Sequence, residues 1–480
     1  MYLLGIDLGT SALKTILDQV SETYPIYMDR PGYSEQKPED WFEALLRTLE
    51  KLGRDHDLGQ VAALSFSGQM HGLVALDEDD KVLRPAILWN DTRTGQEVAY
   101  LNNEIGKAVL IEETANAGFT LPKILWMQKH EPELWDRVAY VMLPKDYLAY
   151  KLSGVRATDY SDASGMLLLD VKNKKWSDKM LEIGKLEESM LGELFESYEA
   201  IGHITEEISE KTGLPTSCRV VIGAGDNAAA AIGTGTIGQG ACNISLGTSG
   251  TIFISSENFI PIEDSSLHSF CHADGNYHVM GVLLQAASAY DWWVKDILAK
   301  DYGEVLPEED NMDPDRPFFM PYLMGERSPH NDEKVRGAFI GLNRKTSAQA
   351  MSLAVMEGVS FALRDCLEIA QKQGIHVTDS NLTGGGAKNA LWPQMLADTV
   401  NLNIHEGQEQ AGPAIGAVVL AGKGAGIYKS LEEGIACFKG ETEQVVEPRA
   451  DFVQYYDARY RQFKKLYPSL KQFYQEKEGK

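Results

Sequence analysis

The chain has no GxxxxGK loop followed by Ser or Thr, which closes the P-loop route to nucleotide binding. Cysteine is scarce: Cys218, Cys242, Cys271, Cys366 and Cys437 are scattered through 480 residues with no CxxC pair and no His partner pattern. Neither a disulfide framework nor a zinc site is expected. Positive charge is short as well, with 45 Lys plus Arg against 70 Asp plus Glu, and a net charge of −25 would repel a phosphate backbone. Nucleic acid is therefore not an expected partner. No stretch approaches eighteen consecutive apolar residues, and the first apolar run has no basic residues before it and is broken by Asp7. Neither a membrane span nor a secretory leader is predicted, and the chain reads as cytoplasmic.

What remains is enough for large cores, since 44% of the residues are apolar. Strand-like runs such as Val61 to Phe66 alternate with helical stretches such as Trp41 to Leu52, where Trp41, Leu45, Leu46, Leu49 and Leu52 recur at helical spacing behind Pro38. That alternation is α/β. Lys172 to Lys211 reads as charged and helical, and the turn signals from Thr212 to Ser217 then precede an apolar strand at Arg219 to Ile222. The spacing predicts a domain boundary near Ser217, dividing the chain into 1–217 and 218–480. Phe452 to Tyr474 reads as one helix with an aromatic packing face, free to pack back on the first domain.

The tetrapeptide Leu-Gly-Thr-Ser occurs at Leu8 to Ser11 and again at Leu246 to Ser249. Each copy lies between two apolar runs and reads as strand, tight glycine turn, strand. Such a turn brings backbone N–H groups close to an anion, and the hydroxyls of Thr10, Ser11 and Thr248 beside Gly9 and Gly247 add donors. One turn in each half suggests a nucleotide clamped between two related domains. A third loop, Thr383 to Asn389, places Gly384, Gly385 and Gly386 ahead of a predicted helix from Ala390 to Val400. Bare backbone there would let a flat ligand lie close, with the helix start aimed at phosphate. A rival motif, Gly223-Ala224-Gly225-Asp226-Asn227-Ala228, satisfies GxGxxA after a strand. It lacks the acidic residue about twenty positions on that a dinucleotide ribose requires.

Two acids stand out. Asp7 lies between the first strand and its glycine turn, where a carboxylate beside phosphates usually meets Mg²⁺. Asp226 begins a predicted helix, where it could cap backbone N–H groups or act as the base that orients a hydroxyl for phosphoryl transfer. Gln69, Met70 and His71 follow the strand at Val61 to Phe66. Trp89 to Arg93 follows another apolar run, so hydrogen-bonding groups beside an aromatic face would suit a polyhydroxylated sugar.

These segments resemble the FGGY carbohydrate kinases of the actin, hexokinase and Hsp70 superfamily. Gly118-Phe119-Thr120 with Lys123 to Trp126 is similar to the first signature of that family. Gly337 to Leu342 with Ala354 to Glu357 is similar to most of the second. Gln69 to Gly72, Trp89 to Asp91, Gly225 to Ala229 and Gly325 to Asn331 look like the members that act on D-xylulose rather than glycerol or gluconate. The resemblance implies two RNase H-like domains around a central cleft, with the sugar on the side of the first domain and the nucleotide on the second. The implied reaction is ATP plus D-xylulose giving ADP plus D-xylulose 5-phosphate, in pentose catabolism. It makes Asp226 the general base and Asp7 the catalytic acid residue that binds Mg²⁺. Gln69, Met70, His71, Trp89, Asp226 and Asn227 become sugar contacts. Gly9, Thr10, Ser11, Gly247, Thr248, Gly384, Gly385, Gly386 and Asn389 become ATP contacts, and the resemblance also allows a homodimer. Two departures are visible: the hairpin after Leu17 lacks the usual Gly, and Ala350 replaces a polar residue of the second signature.

Overall fold

The computed structural model describes residues 1–106, 109–110, 114–262, 266–306, 309–406, 412–438 and 444–475. Two seven-stranded sheets organise it. In the first, β1 (Tyr2–Leu8), β2 (Ala12–Ile16) and β3 (Gln19–Thr23) run as an antiparallel meander. β4 (Val61–Gly68) lies parallel to β1 on its other side, followed by β6 (Arg219–Val221) and the edge strand β5 (Ala200–His203). In the second, β7 (Cys242–Leu246), β8 (Gly250–Ser256) and β10 (Tyr277–Leu283) form the meander, with β9 (His268–Cys271) outside it. β11 (Asp379–Thr383) lies parallel to β7, then come β12 (Asn403–Glu406) and β13 (Gln444–Val446). The order β6-β4-β1-β2-β3 in one sheet is matched by β12-β11-β7-β8-β10 in the other, in the same relative directions. The two Leu-Gly-Thr-Ser turns are thus the same β1–β2 and β7–β8 corner in both halves.

Helix α1 (Pro38–Asp55) forms where its apolar spacing predicts, with Trp41, Leu45, Leu49 and Leu52 buried and Pro38 at the first turn. The other helices used below are α2 (Thr120–His130), α3 (Pro144–Ser153), α4 (Asp226–Gly233), α5 (Ala348–Lys372), α6 (Trp392–Val400), α7 (Pro413–Gly424), α8 (Ala450–Phe463) and α9 (Leu466–Gln475). No helix among the described residues is long and apolar enough to cross a membrane.

Three expectations are corrected. A boundary at Ser217 falls too early, because β6 and the short strand Ala224–Gly225 both pair with β4 of the first sheet. The segment from Lys172 to Lys211 is not one helical stretch. Short helices at Asp178–Gly184 and Glu206–Thr212 flank strands at Glu193–Phe195 and Ala200–His203, and the first helix stops where Lys185 adopts a left-handed backbone. The aromatic C-terminal segment breaks into α8 and α9 and packs on the second half, where Tyr456, Tyr460 and Phe463 join the core around α5. Glu357 of α5 holds α8 there, accepting from Arg459 Nε at 2.7 Å and Arg316 Nη1 at 2.9 Å. These charges are buried together, so docking anywhere else would strand them.

The departures in the sequence also find a place. Ser347 caps α5 by accepting from the Ala350 N–H, and a polar side chain at 350 would complete a reciprocal capping box that Ala cannot. The β2–β3 turn at Leu17-Asp18 closes between Ile16 and Gln19 with neither residue in the left-handed region, and Asp18 meets His56 at 2.7 Å.

The two halves are joined by a close helix crossing. α7 comes from the second half, yet it lies across β1 and β4 and against α4. A Cβ on Gly416 would lie 1.8 Å from the carbonyl oxygen of Ala229, and one on Gly233 would lie 2.6 Å from that of Gly412. Only glycine permits this approach. Gly416→Ala is expected to destabilise the protein by about 1–3 kcal/mol or more through overpacking, read as a lower urea midpoint.

Candidate active site

The carboxyl ends of β1 and β4 meet the start of α4, where Ala224 and Gly225 pair with Ser67 and Gly68 and the Asp7 charge is felt by Asp226. Asp7 is the next-to-last residue of β1, and its Oδ1 accepts from Ser67 Oγ on β4 at 2.9 Å. Burial pushes its pKa up, and the Ser67 hydrogen bond works against that rise. Asp226 is the first residue of α4 and does not serve as its cap. Its Oδ1 accepts from the backbone N–H and Nδ2 of Asn227 at 2.8 and 2.9 Å. The residue keeps partial solvent access, yet its carboxyl sits deep in the cleft. Burial first, and the neighbouring Asp7 charge second, raise its pKa to about 7.

Gly9 and Gly247 are not left-handed, so neither corner needs glycine for its backbone angles. A Cβ on Gly9 would approach the Ala12 carbonyl at 3.1 Å, while Ser11, Thr248 and Ser249 are exposed. Gln36, fully buried, organises the first corner. Its Nε2 donates to the Thr10 carbonyl at 2.6 Å, and its Oε1 accepts from Trp41 at 3.0 Å and Gln69 at 2.9 Å. The second corner is held by residues just after β10: Ala286 N–H donates to the Thr248 carbonyl at 3.0 Å, and Ala287 N–H donates to that of Gly247 at 2.9 Å. The third loop touches this corner directly. Gly384 is left-handed, and its α-carbon lies so near the backbone of Leu246 and Gly247 that a Cβ would come within 2.5 Å. Of the three glycines, only Gly385 could carry a Cβ with nothing within 4 Å of it, and it opens to solvent.

Several expected contacts are placed differently. Gln69 is buried, its Nε2 donating into the Gln36 network while its Oε1 has no hydrogen-bond partner among the described residues. Trp89 is 40% exposed and donates Nε1 to Thr10 Oγ1 at 3.0 Å, tying the sugar-side segment to the first corner. Asn389 spends its side-chain oxygen on the N–H groups of Leu391 and Trp392 at the start of α6. Asp91 is committed to Arg93 and the Ser34 N–H. The glycines of the dinucleotide-like motif serve close packing: a Cβ on Gly225 would meet Met70 at 2.9 Å, and one on Gly223 would meet the Phe66 carbonyl at 2.0 Å. Met70 therefore lies against the residue preceding Asp226, and His71 follows with a left-handed φ of 69°.

Sequence reasoning missed the residues that hold these groups. The His71 carbonyl accepts from Lys123 Nζ at 2.8 Å and Thr120 Oγ1 at 3.1 Å, which stabilises its unusual backbone. Lys123 is in the first signature but gave no geometric cue. Behind Asp226, the Gly225 N–H donates to Ser161 Oγ at 3.2 Å, and Asp159 accepts from Ser161 and Ser197 while meeting Lys145 Nζ at 2.8 Å. Gln36, Ser67 and Ser161 lie in no motif, and only contacts between residues far apart in the chain bring them here.

The arrangement offers a carboxyl raised to about 7 at a helix start and a second carboxyl at the end of the strand that leads into a hydroxyl-bearing turn. Among the described residues no cluster of three or more metal-ligating side chains exists. Asp7, with one carboxylate oxygen unused by protein donors, fits a Mg²⁺ ion whose remaining ligands are phosphate oxygens and water.

The chain matches the description "FGGY family of carbohydrate kinases, N-terminal domain" over residues 2–233 and "C-terminal domain" of the same family over residues 242–425. It is 40% identical to the xylulose kinase of Escherichia coli (strain K12), over 98% of this chain and 99% of that protein. Among solved structures it is similar to a xyloylose kinase from Brucella ovis, with TM-score 0.92 and 36% identity over 98% of this chain and 99% of the other. A gluconate kinase from Lactobacillus acidophilus superposes with TM-score 0.90 at 26% identity, over 98% of both chains.

Two outcomes are expected from this geometry. A base must be ionised to act, so kcat/KM should rise with pH through about 7, the value to which burial and Asp7 raise Asp226. Asp7→Asn removes one of those two causes and should move the limb to lower pH in the residual activity. Gly385→Val fills open space at the third glycine loop, so it should raise KM for the nucleotide while leaving the thermal midpoint unchanged.

Proposed function

The chain belongs to the FGGY family of carbohydrate kinases and is an ATP-dependent sugar kinase; on that premise we propose that it transfers the γ-phosphoryl group of Mg-ATP to the 5-hydroxyl of D-xylulose, with Asp226 as general base. The observation that carries this reading is Asp226 itself, a carboxyl raised to about 7 at the start of α4 by burial and the charge of Asp7 beside the first glycine corner. A base with that value is substantially ionised at neutral pH yet basic enough to accept a proton.

Asp226 takes the proton of the hydroxyl as its oxygen bonds to the γ-phosphorus. The bridging bond to the β-phosphate breaks in line, and ADP leaves with the electron pair. Asn227 orients the carboxylate by donating two hydrogen bonds to one oxygen, which leaves the other for the sugar hydroxyl. Thr10 and Ser11 in one corner and Thr248 in the other offer N–H and hydroxyl donors to phosphate oxygens. Gly384 to Gly386 give the adenosine a flat bed beside the second corner. Mg²⁺, held by Asp7 and the phosphates, would neutralise charge on the transferring group. Met70 and His71 bring the ketose against Asp226. Closure of the halves would exclude water that could otherwise take the phosphoryl group.

D-Xylulose is favoured as acceptor because the relatives of high identity over nearly their full length carry xylulose kinase as their name. A kinase for another ketose or polyol is the second reading, since a gluconate kinase shares the fold. The test is ADP release with Mg-ATP against D-xylulose, D-ribulose, L-ribulose, L-fuculose, glycerol and D-gluconate, with a no-sugar control. Stimulation by D-xylulose above the others is expected, and Asp226→Ala should lower the rate about 10²- to 10⁴-fold. A stronger response to another sugar would overturn the acceptor, and a wild-type rate in the variant would overturn the base.

A further inference from the structure

The segment Gly325 to Asn331 belongs to the second half and is fastened firmly there. The Glu326 and Asp332 backbones exchange hydrogen bonds at 2.9 and 2.8 Å, and the Ser328 N–H donates to the Val282 carbonyl at 3.0 Å. The His330 ring stacks on Tyr467 with centroids 3.7 Å apart. Glu326 Oε1 accepts from the Leu284 and Arg327 N–H groups at 2.9 and 2.8 Å, so that carboxyl is turned to backbone and away from the neighbouring guanidinium. Burial raises its pKa to about 8, which leaves it largely neutral at pH 7.

Arg327 itself reaches out of this segment toward the first half. Its Nη2 lies 3.6 Å from the position a Cβ would take on Gly118, itself beside the Trp89 carbonyl, and its charge is felt by His71 and Lys123. Burial lowers its pKa, and Glu326 only partly opposes this. No side-chain hydrogen bond or ion pair of the Arg327 guanidinium occurs among the described residues. Asp91, whose charge is felt by Lys123, serves Arg93 and Ser34. Lys123 spends its ammonium on the His71 and Gly118 carbonyls. The half-buried Arg327 guanidinium therefore stands between the two halves with donors that no acceptor among the described residues takes up, free for a ligand that supplies acceptor oxygens.

We propose that Arg327 is a sugar-binding residue contributed by the second half, donating to an acceptor oxygen of the ketose at the end remote from the hydroxyl that Asp226 deprotonates. The inference rests on the sugar-kinase reading of the cleft. Met70 packs beside Gly225 and Asp226, whereas Arg327 faces His71 and Gly118, so a ketose lying along Met70 and His71 spans from one to the other. An open-chain ketone oxygen only accepts, and a guanidinium only donates, which makes the match chemically specific. The position has a further consequence. Glu326 ties this segment to Leu284, and Ala286 and Ala287, just beyond, hold the Thr248 and Gly247 carbonyls of the second phosphate corner. Sugar held by Arg327 draws the second half, with its phosphate corner, onto the first.

The test compares wild type with Arg327→Gln and Arg327→Lys in steady-state assays with Mg-ATP and the sugar that most stimulates the wild type. Arg327→Gln is expected to raise KM for that sugar about 10- to 100-fold, the loss of a hydrogen bond to a charged group, with KM for ATP changed less than about 3-fold. Arg327→Lys should restore part of the loss. Hydrogen exchange on the wild type, with sugar and no nucleotide, supplies a readout that does not depend on the variants folding. Amides at 325–331 should exchange more slowly when sugar is present. An unchanged sugar KM in a folded Arg327→Gln variant, or exchange at 325–331 indifferent to sugar, overturns the proposal. A sugar other than D-xylulose emerging from the panel overturns the acceptor assignment alone.

Discussion

The close crossing of α4 and α7 is the constraint on which the cleft depends. Gly416 presses on the Ala229 carbonyl, Gly233 on that of Gly412, and Gly5 of β1 on that of Ala414. Through these contacts α7, which follows β12 of the second sheet, is laid against the strand that carries Asp7 and the helix that begins with Asp226. A side chain at any of these positions would push helix from helix or helix from strand. Both carboxylates would then lose their mutual placement, and the raised pKa of Asp226 depends on that placement as well as on burial.

Placing two acids in one cleft is electrostatically expensive, and the fold meets the cost with polar groups behind the wall. Ser67 donates to Asp7, Asn227 donates to Asp226, and the Gly225 N–H is fixed by Ser161. Deeper still, Lys145 sits among Asp146, Asp159 and Asp162, all buried, at 2.6, 2.8 and 3.5 Å. One ammonium cannot neutralise three carboxylates. Burial holds the Asp162 carboxyl well above the usual range, and the nearby Asp226 charge adds to the shift.

The duplicated sheet repeats one corner in each half, while the lobe that backs Met70 and His71 is built once. Corners β1–β2 and β7–β8 occupy equivalent places in their sheets, so each half carries the same hydroxyl-bearing turn. The lobe between Leu101 and Leu191, with Phe119, Trp126 and Met166 in its core, has no counterpart in that repeat and backs Met70 and His71. The fold itself is shared with kinases named for different sugars.

Much of this was legible in the chain. The paired Leu-Gly-Thr-Ser turns, Asp7 at a strand end, Asp226 before an alanine run and the triple glycine all rest on local chemistry, and local chemistry is what a sequence displays. The amphipathic α1 formed where its spacing required, because burial of Trp41, Leu45, Leu49 and Leu52 needs only a neighbouring sheet. What the sequence could not display was where a side chain turns once its neighbours arrive from elsewhere. The amide nitrogen of Gln69 turned to Gln36, thirty-three positions earlier, a partner that no motif announced. The segment at Arg219 looked like the start of a second domain until pairing with β4 placed it in the first sheet. The C-terminal aromatics gave a helix but not its docking site, which buried ion pairs from Arg459 and Arg316 to Glu357 decided. Motifs and periodicity thus determined the chemistry and the elements. Strand pairing, glycine-permitted helix contact and the pairing of buried charges, each acting between residues far apart in the chain, decided how those elements meet.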